Sequence, residues 1–486
     1  MALGTLVKTL QNIMRKDAGI NGDAQRIEQM TWMFFLKVYD AKEEEWEFHD
    51  DDYKSIIPEE YRWRNWAVDH KDGLALTGKE LIAFVDTKLF PELSGLELPE
   101  NPKLSQLIVK AAFTDANNYM KDGILLRQVI NEIDSAVDFT EYKERHAFGE
   151  IYETILRDLQ SAGNAGEFYT PRAVTKFMAR TIKPKLGEKM ADFACGTGGF
   201  LTSVLEELAP QIQTPGDKET YSSSVYGMEW KQLPYLLCAT NMLLHDIDEP
   251  QIFHGDSLSK DVRDYRNNSE AQFDIILMNP PYGGASASSV KGNFPVAMYS
   301  AESSDLFVIL AMYRLKKTGR AAIVLPEGFL AGEDSAKIEI KKKLLGEFNL
   351  HTIVKLPNTT FAPYATVATN ILFIESGTQT SEIWFYQHRV PEGQKNYSKT
   401  RPIKESEFEA ESNWWFDRRE TSSAWRVTID DVIANGYRLD FKNPSESDIE
   451  ESTSLTELLK DIELSGNRIN ALVEQINASI KVAADD

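Results

Sequence analysis

Residues 189–200 read KMADFACGTGGF, a short apolar segment that runs directly into a turn carrying Gly196, Gly198 and Gly199. Glycines placed straight after a strand let backbone come close to a ligand at the carboxyl end of a sheet. The stretch is not a complete Gly-x-Gly-x-x-Gly fingerprint, because Leu201 stands where the third glycine would be. Taken alone, it specifies no more than a tight strand–helix corner.

Its surroundings decide the fold. From about residue 165, short apolar runs alternate with longer helical patterns. Strands are expected at 189–194, 224–229, 251–256, 273–279, 320–326, 351–357 and 369–375, with helices at 231–245, 303–317 and 334–347. Such alternation predicts a doubly wound α/β sheet.

Upstream, residues 1 to about 150 read as helical. Leu3, Leu6, Val7, Leu10, Ile13 and Met14 fall at helical spacing. Asp23 is expected to cap a second helix, whose middle (TWMFFLKVY, 31–39) is apolar on nearly every face and so should be buried. Residues 50–105, with many Pro, Trp and acidic residues, read as irregular connections. PSESDIEEST (444–453) reads as a linker. Beyond it Leu455, Leu459, Ile462, Ile469, Val473, Ile476 and Ile480 follow alternating four- and three-residue steps, with Gly466 filling one slot. That seam suits a helix folded back on its own chain or one donated to a partner. The expected division is 1–150, 151–443 and 444–486.

Composition narrows the function classes. The longest apolar run, LFVILAMY (306–313), is less than half the ~18–20 residues of a membrane span, and the start lacks a secretory signal. Cys195 and Cys238 are the only cysteines, which fits a reducing cytoplasm (prokaryotic, by the resemblance given below) rather than a disulfide framework. The scattered histidines offer no metal cluster. With 53 basic and 75 acidic residues the net charge is −22, so the chain is not expected to wrap nucleic acid alone. Either the substrate is something else, or a partner supplies the basic surface.

The other strand ends carry ligand-type residues. The second ends in GMEW, placing Glu229 where a carboxylate can accept bonds from two ribose hydroxyls. The third ends in HGDSL, where Asp256 can accept from an adenine amino group. The fourth runs FDIILMNPPYGG (273–284). An amino group conjugated to an aromatic ring is a poor nucleophile, because its lone pair is delocalised. The Asn279 side-chain oxygen and the Pro280 carbonyl can both accept from such an NH2 and localise that pair. Pro280 has no N–H, and Pro281 helps to hold the carbonyl rigidly. Tyr282 can stack on a base flipped out of the duplex.

At these residues the sequence resembles the amino-group-methylating DNA methyltransferases that use S-adenosyl-L-methionine, NPPY being the form typical of adenine methylation. GEFYTPRAV (166–174) is similar to the cofactor segment of the modification (M) subunit of type I restriction–modification systems. The resemblance implies a methyltransferase sheet between a helical N-terminal domain and a C-terminal partner-binding helix. By it, Glu167, Phe168, Tyr169, Thr170, Pro171, Arg172, Asp192, Gly196, Thr197, Gly198, Gly199, Glu229 and Asp256 would hold the cofactor. Asn279, Pro280, Pro281 and Tyr282 would hold the adenine. The implied partners are double-stranded DNA with a flipped adenine, a specificity (S) subunit through the C-terminal helix, a restriction (R) subunit and a second copy of this chain. Phe193 departs from the Pro common in the family, which leaves the placing of the methionine moiety open.

No Gly-x-x-x-x-Gly-Lys-[Ser/Thr] loop is present, so the chain is not the translocating restriction subunit. With about 110 residues (376–486) after the last expected strand, no target-recognition domain is expected. RLKKTGR (314–320) and HRVPEGQKNYSKTRPIK (388–404) are read as phosphate contacts or as solvated loops. The alternatives are a protein-glutamine amide methyltransferase, which shares the NPPY motif, a self-sufficient DNA methyltransferase, and a non-catalytic assembly scaffold. GEFYTPR and the helical first domain speak against the glutamine enzyme.

Overall fold

Leu6, Val7, Leu10 and Met14 line the buried face of α1 (Leu3–Met14), as their spacing predicts. The computed structural model describes residues 3–70, 73–114, 116–136, 169–266, 268–282, 288–362, 367–398 and 400–445, with Glu463 and Gly466. The spine of the N-terminal unit is α2 (Asp23–His49), in which Trp32, Met33, Phe34, Phe35 and Leu36 are all buried. Asp23 does not cap it. Gly22 holds the cap position, and Asp23 lies inside the first turn, paired with Arg26. A carboxylate there still favours the positive end of the helix dipole.

The stretch expected to be irregular is partly helical. It contains α3 (Trp63–Trp66), α4 (Gly78–Phe84) and α5 (Phe90–Gly95), the last two joined by a π-helical turn over Val85–Leu89. Trp63, Trp66, Leu81, Val85, Leu89 and Leu93 are buried, so packing overrides weak local propensity. Two longer helices, α6 (Leu104–Thr114) and α7 (Gly123–Ala136), complete the unit.

The second part alternates strand and helix. In order come α8 (Arg172–Ile182), β1 (Met190–Asp192), α9 (Gly199–Leu208), α10 (Pro215–Ser222), β2 (Val225–Glu229), α11 (Gln232–Leu244), β3 (Gln251–His254), β4 (Phe273–Met278) and α12 (Ser303–Arg314). They are followed by β5 (Leu315–Pro326), α13 (Glu327–Ala331), α14 (Ser335–Glu347), β6 (Phe348–Leu356), β7 (Thr369–Ser376), β8 (Glu382–Gln387), α15 (Glu409–Phe416), β9 (Ala424–Thr428) and α16 (Ile429–Ala434). All seven expected strands form. β8 and β9 were not expected: the chain after residue 376 extends the sheet instead of leaving it.

The strands lie in the order β3-β2-β1-β4-β5-β7-β6-β8-β9. β3, β2, β1, β4 and β5 run parallel, and β7 is antiparallel to both β5 and β6. Connections leave β1 toward β2 and β3, then return to β4 on its other side. The order therefore reverses between β1 and β4, where a crevice opens at the carboxyl ends of the strands. Helices α8, α9 and α11 cover the face that carries Ile275, Leu277 and Val324. Helices α12 and α14 cover the opposite face, with Ile276, Met278 and Ile323.

The two parts meet at α11. Every residue from Tyr235 to Leu244 is buried, between the sheet on one side and α2 on the other. Lys42 of α2, almost wholly buried, pairs with Asp248 at 2.7 Å and Asp246 at 3.5 Å just beyond α11. Burial works against its charge, but these acids hold its pKa above the ordinary lysine value. Gln232 Nε2 donates to the Ala111 carbonyl at 2.5 Å, and Ser105 Oγ to Glu249 at 3.2 Å.

RLKKTGR (314–320) is not a loop. Arg314, buried, ends α12, and the rest starts β5, with Lys316 on Asp274 at 2.7 Å and Arg320 on Glu188 at 2.8 Å. The C-terminal seam, apart from Gly466, lies outside the described residues. Among those described, no helix is long and apolar enough to cross a membrane.

Candidate active site

The carboxyl end of β1 turns at Gly196 (φ 53°) and Gly198 (φ 84°), left-handed conformations that side chains rarely adopt. A Cβ on Gly198 would come within 2.9 Å of Cys238 Sγ. Gly198 then caps α9, and its N–H returns to the Cys195 carbonyl at 2.8 Å. Behind the turn, Asn241 of α11 donates through Nδ2 to the Thr197 carbonyl at 3.2 Å. The turn thus lies against a buried helix.

Glu229 reaches this turn from the end of β2. Its Oε2 accepts the Gly196 N–H at 2.9 Å and its Oε1 the Lys231 N–H at 2.8 Å. Asp192 is buried at the end of β1, where its Oδ1 accepts the Ala194 N–H at 3.0 Å. Burial, reinforced by the charge of Glu229, raises its pKa to about 8. Two acids that repel one another at the mouth of a glycine turn suit a ligand bearing positive charge.

The Phe193 side chain points to the opposite face of the sheet. It packs on Tyr226 and Phe273, with the Arg314 guanidinium 4.7 Å from its ring. The departure from Pro therefore adds no group on the crevice side. Asp256 follows β3, and its Oδ1 accepts the Leu258 N–H at 2.8 Å. The neighbouring Gly255 N–H bonds the Glu229 carbonyl at 2.9 Å, which brings the ends of β2 and β3 together.

Arg172 opens α8. Its Nη1 donates to the Gly199 carbonyl at 2.7 Å and to Thr202 Oγ1, so the guanidinium braces the first turn of α9. Pro171 is the cap residue of α8, and Tyr169 packs against the core. Glu167 and Phe168 lie outside the described residues.

At the end of β4, Asn279 is nearly buried and held at both ends of its amide. Nδ2 donates to Thr170 Oγ1 at 2.9 Å, and Oδ1 accepts the Tyr282 hydroxyl. Burial pushes the Tyr282 pKa well up, so the phenol remains a donor. Pro280 and Pro281 follow directly. The arrangement offers a fixed acceptor at the strand edge for an N–H or O–H donor.

Two residues escaped the sequence reading. Asn241 sits on a helix with no solvent face, where only the tertiary contact reveals its role. Trp230, next to Glu229, is 66% exposed, and its carbonyl bonds His254 Nε2 at 2.8 Å. An exposed indole beside a ligand-type acid was a readable signal. A groove of about 430 Å³ lined by Phe177, Lys183, Phe408 and Phe416 lies between α8 and α15 and contains none of these residues.

Residues 143–453 match the family model described as N-6 DNA Methylase, and residues 3–133 match that of the HsdM N-terminal domain. Over 453 residues the chain is 51% identical to the type I restriction enzyme EcoEI methylase subunit of Escherichia coli, with 91% of each chain covered. It is 25% identical over 448 residues to the EcoKI methylase subunit of Escherichia coli K12, covering 84% of this chain and 78% of that one. Among solved structures, it resembles a modification subunit assigned to a type I restriction enzyme of Vibrio vulnificus YJ016. That match has a TM-score of 0.80 and 39% identity, over 91% of this chain and 97% of the other. A chain solved in work on assembly and conformational transition of the type I restriction–modification system matches with a TM-score of 0.82 and 32% identity. It covers 99% of this chain and 98% of that one.

Proposed function

The chain belongs to the N-6 DNA methylase family, as the adenine-specific methylase subunit of a type I restriction–modification complex, and from that premise we propose how its residues divide the work. The glutamine-methylating and scaffold readings fall with that membership. S-adenosyl-L-methionine is the methyl donor that the glycine turn suits, and it supplies an electrophilic methyl group on a cationic sulfur. Glu229 would take its ribose hydroxyls, with Trp230 covering the adenine ring and Asp256 accepting from its amino group. Asp192 lies where a cationic ammonium would draw off its proton. Gly196 to Gly199, with Glu167, Phe168, Tyr169, Pro171 and Arg172, would enclose the rest.

The observation that carries the reaction is the Asn279 amide, whose Oδ1 already accepts a donor at the strand edge. An adenine amino group arriving there would bond Oδ1 and the Pro280 carbonyl, which hold its lone pair toward the methyl group. Tyr282, released from Asn279, would stack on the flipped base. We read residues 1–150 as a helical domain, 151–443 as the catalytic domain and 444–486 as the linker and assembly helix. The seam from Leu455 to Ile480 would grip a specificity subunit, whose basic surface answers the net charge of −22. A restriction subunit and a second copy of this chain would complete the assembly.

Purified chain with its specificity subunit, given labelled cofactor and duplex DNA, is expected to place the label on adenine N6. Transfer to cytosine, or to protein alone, would defeat this account.

A further inference from the structure

Asn279 faces an ambiguity that its chemistry does not resolve. An amide has an acceptor end and a donor end of nearly the same shape, and only the acceptor end can receive an adenine amino group. Turned over, the same side chain would present N–H to N–H and repel the substrate. Something must therefore hold the amide the right way round, and hold it while the base enters.

Among the described residues, two side chains contact its amide. On one side the Tyr282 hydroxyl donates to Oδ1. On the other, Nδ2 donates to Thr170 Oγ1 at 2.9 Å. Tyr282 is thus a stand-in for the substrate, occupying the acceptor that the adenine amino group must take. When the base displaces it, the polarity at Oδ1 is unchanged, because one donor replaces another. During that exchange Oδ1 has lost one partner and not yet gained the next, and the contact at the Nδ2 end is then the one that fixes the amide.

We propose that Thr170 is a positioning residue for methyl transfer: it holds the Asn279 amide with Oδ1 toward the incoming adenine while the Tyr282 hydroxyl gives up that oxygen. This rests on the assignment of Asn279 as the acceptor of the adenine amino group. It gives Thr170 a task different from the cofactor contact expected from its position in GEFYTPR. Thr170 lies two residues ahead of α8, whose Arg172 braces the glycine turn through the Gly199 carbonyl at 2.7 Å. One short stretch, Thr170 to Arg172, thereby contacts both the acceptor amide and the glycine turn.

The test uses the complete complex with its specificity subunit, under single-turnover conditions with saturating cofactor and DNA. Thr170→Val keeps the shape and removes the acceptor. It is expected to slow methyl transfer about 5–10-fold, the range of one lost neutral hydrogen bond. Cofactor Kd by calorimetry should stay within about twofold of the parent, and the melting temperature should fall by no more than about 2–4 °C as the buried Nδ2 loses its acceptor. Thr170→Ser, which restores the hydroxyl, should recover most of the lost rate, and Thr170→Ala should not. A loss confined to cofactor Kd, with normal transfer at saturation, would overturn the proposal in favour of a cofactor contact. Wild-type transfer by Thr170→Val beside an inactive Asn279→Ala would overturn it while sparing the role of Asn279. Near-normal transfer by Asn279→Ala would instead remove the premise.

Discussion

Glu229, at the end of β2, accepts the Gly196 N–H through Oε2 at 2.9 Å, so a carboxylate one strand away sets the shape of the turn that leaves β1. With Asn241 holding the Thr197 carbonyl from behind, the turn is fixed on two sides before any ligand arrives. Preorganisation of this kind lowers the ordering cost of binding.

Gly198→Ala should therefore damage binding more than fold. The new methyl meets Cys238 Sγ and the backbone is left-handed, a strain of about 1–3 kcal/mol. Cofactor affinity by calorimetry is expected to fall at least about 10-fold. Gly199→Ala, whose nearest side-chain neighbour would be 3.5 Å away, should lose roughly an order of magnitude less. Equal losses for the two would show that the turn is not held as described.

Asp192 gives the site a pH dependence. Its folded pKa, about 8, lies above the ordinary 3.8, so the stability it contributes is present below about pH 4 and lost as pH rises through 8. Without cofactor, Asp192→Asn should gain melting temperature relative to the parent as pH rises from about 4 to about 8, between the unfolded and folded pKa values, and gain no more above it. A cationic ligand favours the ionised form, so parent affinity should tighten several-fold per pH unit up to about 8. If Asp192→Asn shows the same slope, the titrating group lies elsewhere.

Asn279→Ala is expected to slow methyl transfer roughly 10²–10³-fold with cofactor binding intact, the scale of one lost preorganised contact. Tyr282→Ala removes ring and hydroxyl, whereas Tyr282→Phe removes only the hydroxyl that Asn279 must release. The Phe variant should therefore retain at least about 10 times the rate of the Ala variant, as the stacking ring carries most of that residue's contribution. The reverse order, in a single-turnover assay, would put the hydroxyl in the chemistry.

Lys42→Met should loosen the seating of the N-terminal helices. It leaves Asp246 and Asp248 facing one another without the cation, although both are partly exposed and so partly screened. A loss of about 1–2 kcal/mol and a melting shift of about 2–4 °C are expected. Unchanged melting, with unchanged protease sensitivity around residue 246, would mean that apolar packing alone joins the two parts.

The sheet was legible because its strands are short apolar runs between helical patterns, and seven were located on that basis, the first four of them running into ligand-type residues. β8 (EIWFYQ) carries a readable signal, the apolar run Ile383–Tyr386, which the sequence reading passed over, whereas β9 (AWRVT) is too short for a pattern to stand out. The pairing of both is long-range. Site residues were legible where motif and strand end coincide, as at Glu229 and Asn279. The contact between Thr170 and Asn279 joins residues 109 positions apart, and no spacing rule reaches across that interval. Asp23 shows the opposite failure: a good capping residue one position too late to cap.

With Tyr235 to Leu244 buried from both sides, α11 serves as a party wall between the two halves of the molecule. A fragment that starts at residue 166 would have the whole family motif set, yet it would present this wall to water as a bare apolar stripe. The enzyme cannot be pared down to a minimal catalytic piece by sequence motif alone. In evolution, any exchange of the N-terminal helices must carry along a matching outer surface of α11. Recombination between relatives is then tolerated where the swap junction keeps the two together, and penalised where it parts them.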